Sequence, residues 1–252
     1  VGTAEYYLSI AEISAALSME ALCARSEALD SRIHQARQQS GQIRTAQNVQ
    51  QLLAGSTFIN SDARVQDAYS IRCVPQVHGA VRDTVEYLRK IVENEINAAT
   101  DNPLIFEPDV ALSGGNFHGE PIGLVMDYLS IALCELGAIS ERRTNRLLDE
   151  KLNYGLPQML VDDSNHAGLN SGLMMPHYTA ASLVLENQTL ATPDSIRSLP
   201  TSADQEDHNA NAMTADRAQG GWITALSLLA AFLLAGIPLP APLDHFRPDW
   251  VA

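Results

Sequence analysis

Pro75-Gln76-Val77-His78-Gly79-Ala80-Val81-Arg82-Asp83-Thr84-Val85-Glu86-Tyr87-Leu88-Arg89-Lys90-Ile91-Val92-Glu93-Asn94-Glu95-Ile96 reads as a single long helix. Its apolar residues Val77, Val81, Val85, Leu88, Ile91, Val92 and Ile96 recur at the spacing of one α-helical face. Pro75 suits the first turn, where a missing amide hydrogen costs nothing, and Asp101-Asn102-Pro103 stops the helix. The same periodicity predicts helices over residues 4–26 (Leu8, Ile10, Ile13, Ala16, Leu17, Leu22), 44–53, 121–149 (Ile122, Val125, Leu129, Leu133, Leu136) and 173–190. Runs alternating with period two are almost absent, so the fold class is all-α, a bundle of long helices.

Three stretches interrupt the helices. Residues 104–118 hold a short apolar piece and the flexible run Ser113-Gly114-Gly115-Asn116-Phe117-His118, which predicts a loop with a small hairpin. Residues 153–171 and 193–208 form two long polar loops, and loops of that length usually have a task. There is no internal repeat, low-complexity tract or linker, so residues 1–252 are expected to form one domain.

With 252 residues, 46% of them hydrophobic, the chain can bury a substantial core. Sixteen basic against 30 acidic side chains give a formal charge of -14, which repels nucleic acid and anionic membrane and leaves small molecules or other subunits as partners. Cys23, Cys73 and Cys134 are odd in number and lack metal-ligand spacing. They suit a reduced, cytoplasmic setting and are expected to be buried thiols. Val1-Gly2-Thr3-Ala4-Glu5 does not begin a signal-peptide pattern. The uncharged run 220–243 closes at Gly236 and then meets Pro238, Pro240 and Pro242, so it reads as a buried helix rather than a membrane span.

Four polar segments, residues 66–72, 113–120, 153–171 and 201–208, are hard to explain by packing, and loops on a helical scaffold are where sites are built. In Gln66-Asp67-Ala68-Tyr69-Ser70-Ile71-Arg72-Cys73, the planar Arg72 fork can pair with a carboxylate while the Tyr69 hydroxyl holds or relays a proton beside it. The alternative is packing and capping at a helix start. Thr201-Ser202-Ala203-Asp204-Gln205-Glu206-Asp207-His208 sets carboxylates beside an imidazole, suited to acid/base work, to binding a cation or merely to capping a helix. His118, Glu120, Asp207 and His208 have ligand chemistry but no metal-site spacing, so no metal is expected. Nucleophile elbow, phosphate loop and dinucleotide fingerprint are all absent from the sequence.

Taken in order, these two segments, Asn94-Glu95-Ile96-Asn97-Ala98-Ala99-Thr100-Asp101-Asn102-Pro103-Leu104 and Ser113-Gly114-Gly115-Asn116-Phe117-His118-Gly119-Glu120 closely resemble the aromatic amino acid lyase family. That family includes histidine, phenylalanine and tyrosine ammonia-lyases and related aminomutases, and the likeness covers about residues 17–208. The resemblance implies a fumarase/aspartase-like bundle, assembled as a homotetramer with active sites built from several subunits. It also implies a methylidene-imidazolone electrophile, formed from an internal Ala-Ser-Gly tripeptide, that makes ammonia a better leaving group while a base removes a β-hydrogen.

Carried over by motif, the resemblance makes Arg72 the ligand of the substrate carboxylate and Tyr69 a proton-transfer or orienting residue. Gln66 supports the pocket and Phe117 flanks the prosthetic group or the substrate ring. Glu206 falls where histidine ammonia-lyases place a glutamate facing the imidazole, which favours L-histidine as substrate and urocanate as product. Alternatives are a phenylalanine or tyrosine ammonia-lyase or aminomutase, and a non-catalytic helical assembly module.

No Ala-Ser-Gly occurs in the sequence, and the family's N-terminal part has no counterpart, so the chain reads as a central and C-terminal portion needing that segment. Residues 209–252 read as divergent, with a frameshifted end from 222 as one origin. With bundle helices missing, the apolar face Val81/Val85/Leu88/Val92 is expected to lack partners.

Overall fold

A computed structural model describes residues 1–62, 64–161, 165, 168–200 and 202–208. The apolar run 220–243 and the segment 209–252, which reads as divergent in sequence, lie outside the described residues. In chain order the helices are α1 (Gly2–Ala21), α2 (Ser31–Arg37), α3 (Ser40–Leu52), α4 (Tyr69–Arg72), α5 (Val74–Ile96), α6 (Glu120–Leu148) and α7 (Met174–Leu190). Strands β1 (Leu104–Phe106) and β2 (Val110–Leu112) form an antiparallel hairpin, with Ile105 opposite Ala111. Single 3-10 turns occupy Ser26–Leu29, Gln158–Leu160 and Ser202–Asp204.

The long α5 helix is central. Its Val81, Val85 and Leu88 meet Ala4, Leu8 and Ala11 of α1 and Val125, Leu129, Leu133 and Leu136 of α6. The face expected to lack partners is therefore covered within the chain, because α1 and α6 close over it, and Val92 packs at its margin. Burying a side chain such as Leu88 contributes about 2 kcal/mol. Exposed apolar residues appear instead on the far side of α6 (Leu124, Tyr128, Ile131) and on α7 (Met175, Tyr178, Leu185). Helix α6 is long and apolar enough to cross a membrane, but half of its apolar window is buried inside this bundle.

A second cluster joins Ala15, Met19 and Leu22 of α1 and its end to Val49, Ile71, Val74 and Leu147. Here α3 crosses α5 through two glycines. A Cβ on Gly41 would lie 2.2 Å from the Gly79 carbonyl oxygen, and one on Gly79 would lie 2.4 Å from Gln42 Cα. The crossing also supplies α3's N-cap, since Asp83 Oδ1 accepts from Ser40 Oγ (2.9 Å) and Gly41 N–H (2.8 Å). Buried Glu12 bridges the same helices, accepting from Arg82 (2.6 Å) and Asn48 (2.9 Å).

Two expectations change. The first helix ends at Ala21 because Cys23 takes a left-handed conformation (φ 50°) and Ala24 N–H returns to the Met19 carbonyl at 2.8 Å. Only Cys134 is buried; Cys23 and Cys73 are half-buried, since each sits at a helix end rather than on a core face.

Candidate active site

Helix α4 is seated in the core through one residue. Ile71 is buried in the second cluster, which turns Tyr69 and Arg72, one helical turn apart, to another side. The segment leading into α4 is strapped down by buried Asp67, which accepts from Arg25 N–H at 2.6 Å and pairs with Arg64 at 3.1 Å. Arg64 in turn donates to the Leu22 and Cys23 carbonyls and lies 3.7 Å from the centre of the Tyr154 ring. The strap fixes where Gln66 begins its approach.

Gln66, Tyr69 and Arg72 lie together, with Gln66 and Tyr69 both touching Arg72. Arg72 Nη1 donates to Gln66 Oε1 at 2.7 Å, and its guanidinium carbon sits 4.7 Å from the Tyr69 ring centre. No described carboxylate pairs with Arg72, and its Nε is buried without a partner. Tyr69 is 70% exposed. A supported cation lacking an internal anion, beside an accessible phenol, can receive a carboxylate and hold a proton near it.

Phe117 and Glu206 belong to a second group. The loop of Phe117 is anchored through Asn102, whose Oδ1 accepts from Gly114 N–H (2.7 Å) and Ser113 Oγ (3.1 Å), and through Asn116, which donates to the Ala99 carbonyl. Next to Phe117, His118 Nε2 lies 3.2 Å from the His208 carbonyl oxygen, and the two imidazole rings lie 5.4 Å apart. This contact ties the loop of Phe117 to the loop of Glu206. Phe117 and Glu206 are both exposed. Among the described residues, no hydrogen bond, ion pair or ring contact joins Tyr69 or Arg72 to Phe117, His118 or His208.

His118, Glu120 and His208, three of the four ligand-type residues named from the sequence, place their atoms within 4.8 Å of one another although His118 and His208 are 90 positions apart. Their hydrogen bonding runs against metal chemistry. Glu120 N–H donates to His118 Nδ1 at 3.3 Å, which leaves the ring hydrogen on Nε2, directed at the His208 carbonyl. His118 thus presents a hydrogen to the group rather than a lone pair. Asp207, the other ligand candidate, is exposed and outside it. Sequence spacing also gave no sign of Asn102 as the anchor of the glycine loop.

The family model described as aromatic amino acid lyase matches residues 1–237, which extends beyond the span carrying the motifs. The histidine ammonia-lyase of Treponema denticola is 51% identical over 217 residues, covering 85% of this chain and 42% of that relative. The one from Geobacillus kaustophilus is 53% identical over 205 residues, covering 81% and 40%. Among solved structures, the tyrosine aminomutase of Streptomyces globisporus superposes with a TM-score of 0.84 at 37% identity, covering 93% of this chain and 48% of that one. Histidine ammonia-lyase from Trypanosoma cruzi gives 0.80 at 41% identity, covering 92% and 44%. The chain spans about two fifths of the length of the curated relatives it matches.

Proposed function

Because the chain belongs to the aromatic amino acid lyase family, we propose that the whole protein eliminates ammonia from L-histidine to give urocanate. The observation that carries this reading is Arg72, held by Gln66, paired with no described carboxylate and stacked near an accessible Tyr69 phenol. The 51% and 53% identities to proteins named histidine ammonia-lyase favour histidine among the family's substrates.

In this mechanism Arg72 binds the substrate carboxylate with the face that Gln66 leaves open. Gln66 holds the guanidinium in one orientation, so little ordering remains to be done when substrate arrives. Tyr69 orients the amine and β-carbon and holds or moves the β-proton as ammonia departs. Glu206 accepts from an imidazole N–H, and Phe117 closes against the prosthetic group or the substrate ring.

The family's methylidene-imidazolone group supplies the electrophile when present, and its Ala-Ser-Gly precursor is not among these 252 residues. The residues here suit a group contributed from elsewhere. Tyr69 and Phe117 turn exposed rings outward, and a Cβ on Gly114 or Gly115 would meet nothing within 4 Å, which leaves room beside Phe117. Tyr69 and Phe117 would flank it.

The same reading takes the protein as a cytoplasmic homotetramer with shared active sites. The shared active sites are supported by the lack, among the described residues, of any hydrogen bond, ion pair or ring contact joining the Tyr69/Arg72 group to the Phe117/His118/His208 group within one chain. Supplying the upstream half of a histidine ammonia-lyase relative and following urocanate absorbance tests the reading. Turnover of histidine is expected, and an assembled protein without it defeats the proposal.

A second reading, a tyrosine- or phenylalanine-specific lyase or aminomutase, draws on the structural likeness to tyrosine aminomutase. A panel of the three amino acids decides between them.

A further inference from the structure

Arg143 of α6 is fully buried, at 0% exposure, and meets no carboxylate among the described residues. Its Nη2 donates to Ser140 Oγ on its own helix at 2.8 Å, and its Nε has no partner. Burial draws its pKa down to about 9. The neighbouring His78 is also fully buried, and among the described residues neither ring nitrogen has a partner. A lone buried cation is a poor way to stabilise a fold, and an apolar side chain of similar length would fill the space at less cost.

Among the described residues, the guanidinium reaches outside its helix in one place. Arg143 Nη1 points to the Ser70 carbonyl oxygen at 3.4 Å, inside α4 and between Tyr69 and Arg72. A helix of one turn cannot hold its own shape; Cys73 N–H caps the Tyr69 and Ile71 carbonyls, and Arg143 is the side chain that reaches the Ser70 carbonyl between them. A cation beneath those carbonyls also has the sign that the helix dipole favours. Ile71 fixes the depth of the turn in the core, while Arg143 bears on its backbone from below.

We infer that Arg143 is a positioning residue: it holds the Tyr69–Arg72 turn in the orientation that receives the substrate carboxylate. This rests on the ammonia-lyase reading above. It also identifies what the buried charge is for, since the benefit falls on the site and not on the stability of the bundle.

The test uses the complete protein, with Arg143→Met, Arg143→Lys and Ser140→Ala compared against wild type. Unfolding midpoint, KM and kcat are measured with whichever of histidine, tyrosine and phenylalanine the wild type turns over. Urocanate and cinnamate binding is measured by calorimetry. Arg143→Met is expected to unfold at or above the wild-type midpoint while kcat/KM falls about 30-fold, with both KM and kcat affected and carboxylate binding weakened alike. Arg143→Lys restores part of the loss, and Ser140→Ala, which leaves a buried guanidinium donor without its acceptor, loses several-fold in kcat/KM together with a lowered midpoint.

A purely structural arginine gives the opposite pattern: a lowered midpoint, with kcat/KM per folded molecule within about 3-fold of wild type. That result overturns the inference. Should Arg143→Met not fold, unchanged kinetics in both Arg143→Lys and Ser140→Ala overturn it equally. A wild type that turns over none of the three amino acids defeats the ammonia-lyase reading instead, and product binding then tests Arg143 separately.

Discussion

Gln66 Oε1 accepts a 2.7 Å hydrogen bond from Arg72 Nη1 and thereby fixes the guanidinium beside the Tyr69 ring. A carboxylate arriving at Arg72 meets a donor already oriented. Gln66→Leu removes the acceptor and is expected to raise KM about 10-fold in the assembled enzyme, while Arg72→Lys, which cannot present a fork, loses about 100-fold in kcat/KM. Steady-state kinetics on both variants checks this. An unchanged KM in Gln66→Leu would show that Arg72 needs no support.

On the histidine reading proposed above, Glu206 sets the choice of side chain. Replacing it with Gln keeps the size but gives up a charged acceptor for an imidazole N–H, so histidine turnover should fall about 10- to 100-fold. Relative activity on tyrosine or phenylalanine should rise. Equal histidine turnover in wild type and Glu206→Gln would remove the basis for placing the imidazole there.

The contact between His118 and His208 joins the loops of Phe117 and Glu206 through a 3.2 Å approach to a carbonyl. His118→Leu should therefore loosen both loops together, seen as faster amide exchange in residues 113–119 and 202–208 and a loss of about 1 kcal/mol of local stability. Exchange confined to one loop would mean that the two are held independently.

Helix positions were legible in the sequence because apolar spacing is strong where a helix is long. The starts of α5 and α6 lie within a residue of Pro75 and Pro121, as a proline in the first turn requires. The short elements were not legible. Helix α4 has only one inward residue, Ile71, and α2 depends on an Asp30 cap accepting from Arg32 N–H, so neither offers a period to detect. The covered face of α5 was misjudged because periodicity tells which residues turn inward but not which helix meets them. Within the site, Gln66, Tyr69 and Arg72 are close in sequence and could be read as a unit. The His118/His208 contact and the reach of Arg143 to Ser70 join residues 90 and 73 positions apart, and only the folded chain brings them together.

The approach of α3 to α5 makes a sharp stability prediction. Gly79→Ala places a methyl 2.4 Å from backbone atoms of Gln42, which cannot swing aside, so the helices must separate. A loss of about 3 kcal/mol is expected in chemical denaturation, against less than about 0.5 kcal/mol for Gly114→Ala, where a Cβ meets nothing. Comparable midpoints for the two variants would mean the crossing is looser than drawn.

Two buried histidines set the response to acid. His34 is satisfied as a neutral ring, with Nδ1 accepting from Gln42 Nε2 at 2.9 Å and Nε2 donating to the Ala28 carbonyl at 3.1 Å. Burial lowers its pKa in the folded chain. Burial lowers that of His78 further, helped by the positive charges of Arg143 and Arg82. Both folded values thus lie below the unfolded value near 6.5. Above that pH neither state binds these protons and the fold has its full stability. Below it the unfolded chain takes up protons that the folded chain refuses, so stability falls as pH drops from about 6.5 towards the lowered folded values. The slope is about 1.4 kcal/mol per pH unit for each histidine. Denaturant midpoints measured from pH 8 to pH 5 should show this decline, and it should be shallower in His78→Leu, which can no longer titrate. A flat profile in the wild-type protein would mean that at least one of these rings can charge without leaving its place.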